Sequence, residues 1–172
     1  NEQSALHPQF DIFHRTNTTS ELHFKINSKE LLYVKQAGSN NFTARISINY
    51  KLISSDETKE IINSDTVQVT DIFSENTTKN IIGKIDFNAI FMNTYLMEIN
   101  FSDLNRNTSV KHFLNIDKLN LYNRQNYIIY SAETKTPLFK NNIQKDERII
   151  IRYRMPDAKF FVRYYHRNFP LP

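Results

Sequence analysis

The chain has 172 residues, of which 40% are hydrophobic, 13% aromatic and 23% charged, a composition that supplies a folded core and excludes general disorder. Lysine and arginine number 22 against 18 aspartates and glutamates, and because these charges are interspersed they do not predict a nucleic-acid-binding protein. The absence of cysteine excludes disulfides, thiolate catalysis and cysteine-based metal sites.

The amino-terminal part is predicted to be a leader followed by a first strand. Residues 1–20 are polar, with a Thr/Asn/Ser cluster at residues 16–20, and predict an extended leader. From Leu22 the sequence alternates, and Leu22, Phe24 and Ile26 share one face of a half-buried strand. Residues 31–34 are predicted to continue this strand before a glycine-containing turn.

The next segment contains the longest alternating series, which runs from Phe42 to Leu52 and predicts a central strand. A polar tip over residues 54–59 leads to a returning strand marked by Val67 and Val69, as in a hairpin. Three further strands are predicted over residues 81–87, 95–101 and 110–116, with a turn at residues 103–107 between the last two.

These strands define the predicted fold class. Six or seven strands over roughly 100 residues match the size and spacing of an immunoglobulin-like β-sandwich. We therefore predict an all-β protein with such a sandwich over residues 21–120, and the asparagine-rich residues 119–126 predict a linker. Strands predicted at residues 127–132, 148–154 and 159–167 are too few for a sandwich, so residues 121–172 are predicted to form a partial second β domain.

Residues that carry catalysis or bind metals show no recognisable pattern. The five histidines are scattered without an HxH or HxxxH pair and are interpreted as solvated or hydrogen-bonded structural residues: His7, His14, His23, His112 and His166. The sequence also contains no Gly-x-Ser-x-Gly, P-loop or Gly-x-Gly-x-x-Gly motif. We expect no enzyme, no catalytic or metal-binding residues and no cofactor.

The segment 159–169 is the strongest candidate surface, because basic and aromatic residues alternate along it. Both faces of the corresponding strand are rich in apolar residues, so burial in the core or a domain interface is favoured over a partner surface, and a partner surface over glycan or nucleic-acid contact. The candidate partner-binding residues are Phe161, Arg163, Tyr164, Tyr165, Arg167 and Phe169.

Four segments carry a family resemblance: Leu-Leu-Tyr-Val-Lys-Gln at 31–36, Phe-Thr-Ala-Arg-Ile-Ser-Ile-Asn-Tyr at 42–50, Asp-Leu-Asn-Arg-Asn at 103–107 and Val-Arg-Tyr-Tyr-His-Arg-Asn-Phe-Pro-Leu-Pro at 162–172. They resemble GWxTD-domain proteins, Gram-negative envelope proteins, often lipoproteins, whose β-sandwich regions precede the domain with the Gly-Trp-x-Thr-Asp motif. The resemblance runs from about residue 22 to the end, and the motif itself is absent because the chain has no tryptophan.

The resemblance implies a location in the periplasm or at the cell surface, associated with the outer membrane, and it supplies no catalytic residues. We therefore expect a non-catalytic binding or scaffolding module that docks onto a protein partner in an outer-membrane or secretion-related assembly. A lipid anchor at the start of the chain or outside it would attach such a module to the membrane. The alternative is a carbohydrate-binding sandwich in which exposed tyrosines such as Tyr122, Tyr127, Tyr164 or Tyr165 stack on sugars.

Overall fold

The structure is a computed structural model that describes residues 5–74, 78–140 and 143–155. The strands within these residues are β1 (Gln9–His14), β2 (Thr19–Asn27), β3 (Val34–Lys35), β4 (Phe42–Ser54), β5 (Ile61–Ile72), β6 (Asn80–Asn88), β7 (Thr94–Asp103), β8 (Thr108–Asp117), β9 (Tyr127–Ser131) and β10 (Ile149–Tyr153). The helices of this part of the chain are two short 3-10 turns, Ser28–Glu30 and Arg124–Asn126. The all-β prediction is therefore confirmed.

Two antiparallel sheets form the sandwich. The smaller sheet has the order β1-β2-β6, and the larger has the order β5-β4-β7-β8, with the two residues of β3 paired to the start of β4. The chain crosses between the sheets after β2, β5 and β6, which gives the Greek-key connections of an immunoglobulin-like sandwich. The predicted sandwich is therefore present.

The core lies between the two sheets and is formed by the apolar residues of the alternating strands. The inward side chains of β2, β4 and β7 are buried along each strand. They include Leu22, Phe24, Ile26, Ala44, Ile46, Ile48, Tyr50, Leu52, Tyr95, Met97, Ile99 and Phe101. Because both sheets contribute to this one cluster, burial of its apolar surface joins them into a single core.

The turn between β7 and β8 joins the large sheet to the segment after β2. The buried Asp103 carboxylate accepts hydrogen bonds from Leu32 N at 2.8 Å and Asn105 N at 3.0 Å. Asn105 in turn donates to Leu32 O and Thr43 O, at 2.9 and 2.7 Å. The turn predicted at residues 103–107 is thus confirmed. The prediction that residues 31–34 continue β2 is wrong, because the 3-10 turn at Ser28–Glu30 redirects the chain to the other sheet.

The structure differs from the expected leader over residues 1–20. Strand β1 pairs with β2 along its whole length, from Gln9 opposite Lys25 to His14 opposite Ser20. Successive residues of β1 are buried, because Ile12 faces the core while Phe13 is covered on the outer side of the sheet. A strand covered on both faces lacks the alternation that identifies a half-buried strand.

The hairpin of β9 and β10 lies on the outer face of the small sheet. The Tyr130 ring lies 6.4 Å from the His23 ring, and the Arg152 guanidinium lies 4.9 Å from the Phe13 ring. The strands predicted at residues 127–132 and 148–154 are confirmed, whereas the strand predicted at 159–167 lies outside the described residues. A separate second domain over residues 121–172 stays a prediction.

The segment 119–126, expected to be a linker, is hydrogen-bonded to its neighbours. Gln125 Oε1 accepts from Asp117 N at 2.9 Å, and the Arg124 guanidinium lies 2.9 Å from the Asp11 carboxylate. These bonds tie the start of the hairpin to both β8 and β1. The residues therefore form part of the sandwich surface.

Gly83 allows an aromatic ring to fill the core of the small sheet. It lies in β6 opposite Phe24 of β2, and a Cβ at this position would lie 2.7 Å from Phe24 Cε1. We expect Gly83→Ala to displace the ring and lower the free energy of unfolding by about 1–3 kcal/mol, measured by urea unfolding. Adding Phe24→Leu should recover part of this loss, and a purely additive double variant would contradict the clash.

Candidate binding site

Three aromatic residues lie at the end of the large sheet where β4 begins and β5 ends. Phe73 N donates to Phe42 O at 2.9 Å, which continues the β4–β5 pairing by one residue. The Tyr33 and Phe73 rings lie 5.4 Å apart at an interplanar angle of 63°. We term Tyr33, Phe42 and Phe73 the aromatic corner. Phe42 and Phe73 are 45% and 51% exposed, so the corner presents a large apolar surface to solvent.

The register of the surrounding strands places further exposed apolar residues at the same end of the sheet. Val34 pairs with Thr43 across β3 and β4, and Thr43 pairs with Ile72 across β4 and β5. Because successive side chains of a strand alternate between faces, Val34 and Ile72 lie on the opposite face of the sheet from Phe42 and Phe73, and both are exposed. Two neighbouring exposed phenylalanines, such as Phe42 and Phe73, indicate an interaction site, whereas single exposed apolar residues are ordinary.

A groove of about 490 Å³ lies next to the aromatic corner. It is lined by Ser28, Lys29, Leu31, Tyr33, Phe73, Ser74, Thr78 and Lys79. Tyr33, Phe73 and Leu31 supply its apolar lining, and the serine, threonine and lysine residues supply polar groups. This mixture of an apolar wall and a few polar groups is typical of binding sites.

A hydrogen-bonded network holds the Tyr33 ring in position. Tyr33 OH donates to Asp71 Oδ2 at 2.7 Å, and Lys79 Nζ lies 2.7 Å from Asp71 Oδ1. Burial, together with the hydrogen bond to Asp71, raises the pKa of Tyr33 far above its usual value. Tyr33 therefore stays a neutral donor at physiological pH, and the network fixes one wall of the groove.

Two lysines beside the corner carry positive charge without a partner of opposite sign in the described part of the chain. Lys29 lines the groove, and Lys35 pairs with Phe42 across β3 and β4. Both are exposed, and neither lies in an ion pair with a carboxylate of residues 5–74, 78–140 or 143–155. The positive charge of Lys79, in contrast, is neutralised by Asp71. The rim of the corner is therefore basic.

The geometry of the exposed rings bears on the carbohydrate-binding alternative. A sugar stacks on a flat aromatic face, whereas the Tyr33 and Phe73 rings meet at 63° and form an angled surface. Among the tyrosines expected to stack on sugars, Tyr122 is 90% exposed. The face of the Tyr127 ring is occupied by the Arg124 guanidinium, which lies 4.7 Å from its centroid. The angled corner suits an apolar side chain better than a sugar ring.

The residues predicted to bind a partner all lie outside the described residues: Phe161, Arg163, Tyr164, Tyr165, Arg167 and Phe169. Partner binding by that segment stays a prediction. Sequence reasoning missed the aromatic corner, because Tyr33 was assigned to a continuing strand and Phe42 to the start of an alternating series. The available signal was Phe73, an aromatic residue in a polar loop directly after a strand.

A second cluster of charged residues lies under the β9–β10 hairpin and centres on Glu21, which is fully buried. Its carboxylate lies 2.9 Å from His23 Nε2, 3.1 Å from Lys84 Nζ and 3.5 Å from the Arg152 guanidinium. Arg15 approaches the same carboxylate at 3.8 Å. Burial opposes ionisation, but the hydrogen bonds from Lys84 and His23 and the charge of Arg152 outweigh it and lower the pKa of Glu21.

A third polar cluster closes one end of the sandwich. His14 Nε2 lies 3.0 Å from Asp117 O, and Nδ1 lies 2.9 Å from Ser20 Oγ. Since a carbonyl oxygen only accepts, Nε2 carries the hydrogen and Nδ1 accepts from the Ser20 hydroxyl. Both side chains are fully buried, so this serine and histidine bind each other and are closed to a substrate. The pair is structural.

Lys118 lies in the same cluster and is buried without a carboxylate partner among the described residues. Its Nζ donates to Ala89 O at 2.6 Å and to Thr16 O at 3.0 Å, which joins two loops at this end of the sandwich. Burial, with a smaller contribution from the charge of Arg154, lowers the pKa of Lys118 to about 8. The ammonium group thus serves as a bridge between backbone carbonyls.

Neither a metal cluster nor a membrane-spanning helix is found in the described residues. No group of three or more histidine, cysteine, aspartate or glutamate side chains there could hold a metal ion. No helix in the same residues is long and apolar enough to cross a bilayer.

Comparison with known proteins finds only remote structural likeness. No protein-family model matches the sequence, and no curated protein matches it significantly. A glycosyl hydrolase family 2 member from Bacteroides cellulosilyticus DSM 14838 matches 78% of this chain with 9% identity and a TM-score of 0.38. A second structure of a family 2 member from Bacteroides cellulosilyticus matches 77% with 12% identity and a TM-score of 0.36. The chain covers only 16% and 15% of those two proteins.

Proposed function

We propose that this chain is a non-catalytic docking module of a bacterial cell-envelope protein, which binds a protein partner of an outer-membrane or secretion-related assembly. The aromatic corner carries the proposal, because Phe42 and Phe73 are cross-strand neighbours that each expose about half of their surface, and the Tyr33 ring contacts Phe73. Surfaces of this kind on folded domains are typically covered by a partner. The envelope location rests on the resemblance to GWxTD-domain proteins.

The polar clusters of the described residues support a non-catalytic role. Glu21, His14 and Ser20 are the kinds of residue that carry acid, base or nucleophilic chemistry, yet each is fully buried and bonded within the fold. Such groups hold the β9–β10 hairpin and the end of the sandwich in place. The accessible surface next to the groove offers apolar contact and positive charge.

Site-specific photo-crosslinking tests docking at the aromatic corner. A photoreactive phenylalanine analogue would replace Phe42 or Phe73 in the full-length protein in its native cells. Phe113 is the matched control, because it is a 57% exposed phenylalanine on β8 of the same sheet. We expect a discrete crosslinked protein in the envelope fraction from Phe42 and Phe73 and none from Phe113.

Two results would overturn the proposal. Equal crosslinking from Phe113, or no crosslink from either corner position, would show that the aromatic corner does not dock a protein. Recovery of the native protein in the cytoplasmic fraction would contradict the envelope location.

A further inference from the structure

We propose that the segment docking at the aromatic corner is an extended, acidic stretch of a partner protein that inserts an apolar side chain against Tyr33 and Phe73. This inference rests on the proposed docking function and adds the chemistry of the bound segment. Three features of the corner carry it: the angle between the rings, the two lysines that have no ion-pair partner among the described residues, and the outer edge of β5, which no described strand pairs with.

The angle between the Tyr33 and Phe73 rings favours an apolar side chain of the partner. Tyr33 and Phe73 meet at 63° with centroids 5.4 Å apart, and the adjoining groove of about 490 Å³ opens beside them. An apolar side chain in the angle would contact both rings. Fixed aromatic walls of this kind favour binding, because the Tyr33 ring is already held by Asp71 and little conformational entropy is lost.

The positive charges of Lys29 and Lys35 favour acidic residues next to that apolar side chain. Lys29 lies on the groove wall, and Lys35 lies next to Phe42, so positive charge borders the corner on two sides. Asp71 adds no net negative charge, because Lys79 lies 2.7 Å from it. Acidic side chains in the partner would therefore be attracted, whereas basic side chains would be repelled.

The edge of the large sheet favours an extended backbone. Strand β5 pairs only with β4 in the described part of the chain, so the hydrogen-bonding groups of its outer edge point away from the sheet. Ile72, at the end of this edge, directly precedes Phe73, and its carbonyl oxygen accepts from Lys79 Nζ at 3.3 Å, so the part of the edge that can pair lies before this carbonyl. A segment that adds to β5 as a further strand would place alternate side chains near the aromatic corner.

Synthetic peptides as long as β5 provide the test. Three peptides share two central leucines and carry acidic, basic or neutral polar flanks, and a fourth has acidic flanks with serines in place of the leucines. Binding to the full chain is measured by fluorescence anisotropy. We expect the acidic leucine peptide to bind at least about tenfold more tightly than the other three.

Variants of the corner locate the binding. Phe73→Ser should weaken the acidic leucine peptide at least about tenfold, whereas Phe113→Ser should leave its binding unchanged. Lys29→Glu combined with Lys35→Glu should reverse the preference toward the basic peptide. This reversal is a gain of binding, so it cannot arise from a variant that fails to fold.

Equal binding of the neutral and acidic peptides, or unchanged binding after Phe73→Ser, would overturn the inference. Failure of all four peptides while Phe42 and Phe73 still crosslink a protein would also overturn it and leave the docking function standing. Absence of those crosslinks is the separate result that removes the docking function itself.

Discussion

Replacing Glu21 with glutamine is expected to lower the free energy of unfolding by about 3 kcal/mol, measured by urea unfolding near neutral pH. The substitution keeps the shape of the side chain but removes the one negative charge that His23, Lys84 and Arg152 share. Loss of one partner from a buried ion pair typically costs about 3–5 kcal/mol. The lower end applies because Lys84 and Arg152 reach solvent and can be hydrated when the carboxylate is gone.

Asp86→Asn is the matched control for this experiment. Asp86 contacts Arg15 at 3.3 Å and Lys84 at 3.7 Å, two of the cations that also approach Glu21, but its side chain is 45% exposed. Exposed ion pairs contribute about 0–1 kcal/mol, so this variant should change stability by less than about 1 kcal/mol. Equal losses from the two substitutions would show that burial of Glu21 does not set the strength of the cluster.

The Glu21 cluster should make the free energy of unfolding fall in acid. The pKa of Glu21 is lowered in the folded protein, so the carboxylate contributes its full stability above its ordinary value of 4.5 and loses it as the pH falls below that value. The difference in stability between the wild type and Glu21→Gln should therefore shrink in acid.

The sequence predicted those strands in which one face is buried and the other is solvated. Strands β4 and β7 alternate along their length, and their inward residues, such as Ile48 and Ile99, are the fully buried centre of the core. In these strands the side-chain period of two is visible locally. No information from distant parts of the chain was needed.

The small sheet shows why the rest could not be predicted. The alternation of β2 predicts that His23 lies on the polar face, opposite Leu22 and Phe24, yet it is 3% exposed because the β9–β10 hairpin covers that face from about a hundred residues further along the chain. The same hairpin covers Phe13 of β1, because Arg152 of β10 lies over its ring. Strand β1 therefore needs apolar residues on both faces and does not alternate between apolar and polar residues. The burial of these residues depends on a long-range contact that no local window contains.

The aromatic corner is hidden from the sequence for a related reason. Tyr33, Phe42 and Phe73 come from three separate segments, and only the registers of β3, β4 and β5 bring them to one end of the sheet. A pattern within one strand indicates which face a residue takes, but it does not indicate where strands end relative to each other. The dense aromatic composition of residues 159–169 is therefore the stronger signal in the sequence.

A buried histidine gives the other large expected effect. Burial, with the charges of Lys118 and Arg154, lowers the pKa of His14 from 6.5 to about 4, although the hydrogen bond to Asp117 opposes this shift. Above pH 6.5 the imidazole is neutral in both the folded and the unfolded chain. As the pH falls from 6.5 to about 4 the unfolded chain takes up the proton first, so His14 should remove about 3 kcal/mol of stability over this range.

His14→Gln isolates this contribution, because the glutamine amide offers one donor and one acceptor in place of Nε2 and Nδ1 but does not titrate. Urea unfolding measured between pH 7 and 4 should show that the free energy of unfolding falls by about 3 kcal/mol less in this variant than in the wild type. Ser20→Ala is the control, since it removes the hydroxyl 2.9 Å from His14 Nδ1 but keeps the buried imidazole. This variant should lose as much stability in acid as the wild type. Parallel curves for the wild type and His14→Gln would mean that the folded protein accommodates the charged imidazole, and that the end of the sandwich opens to water in acid.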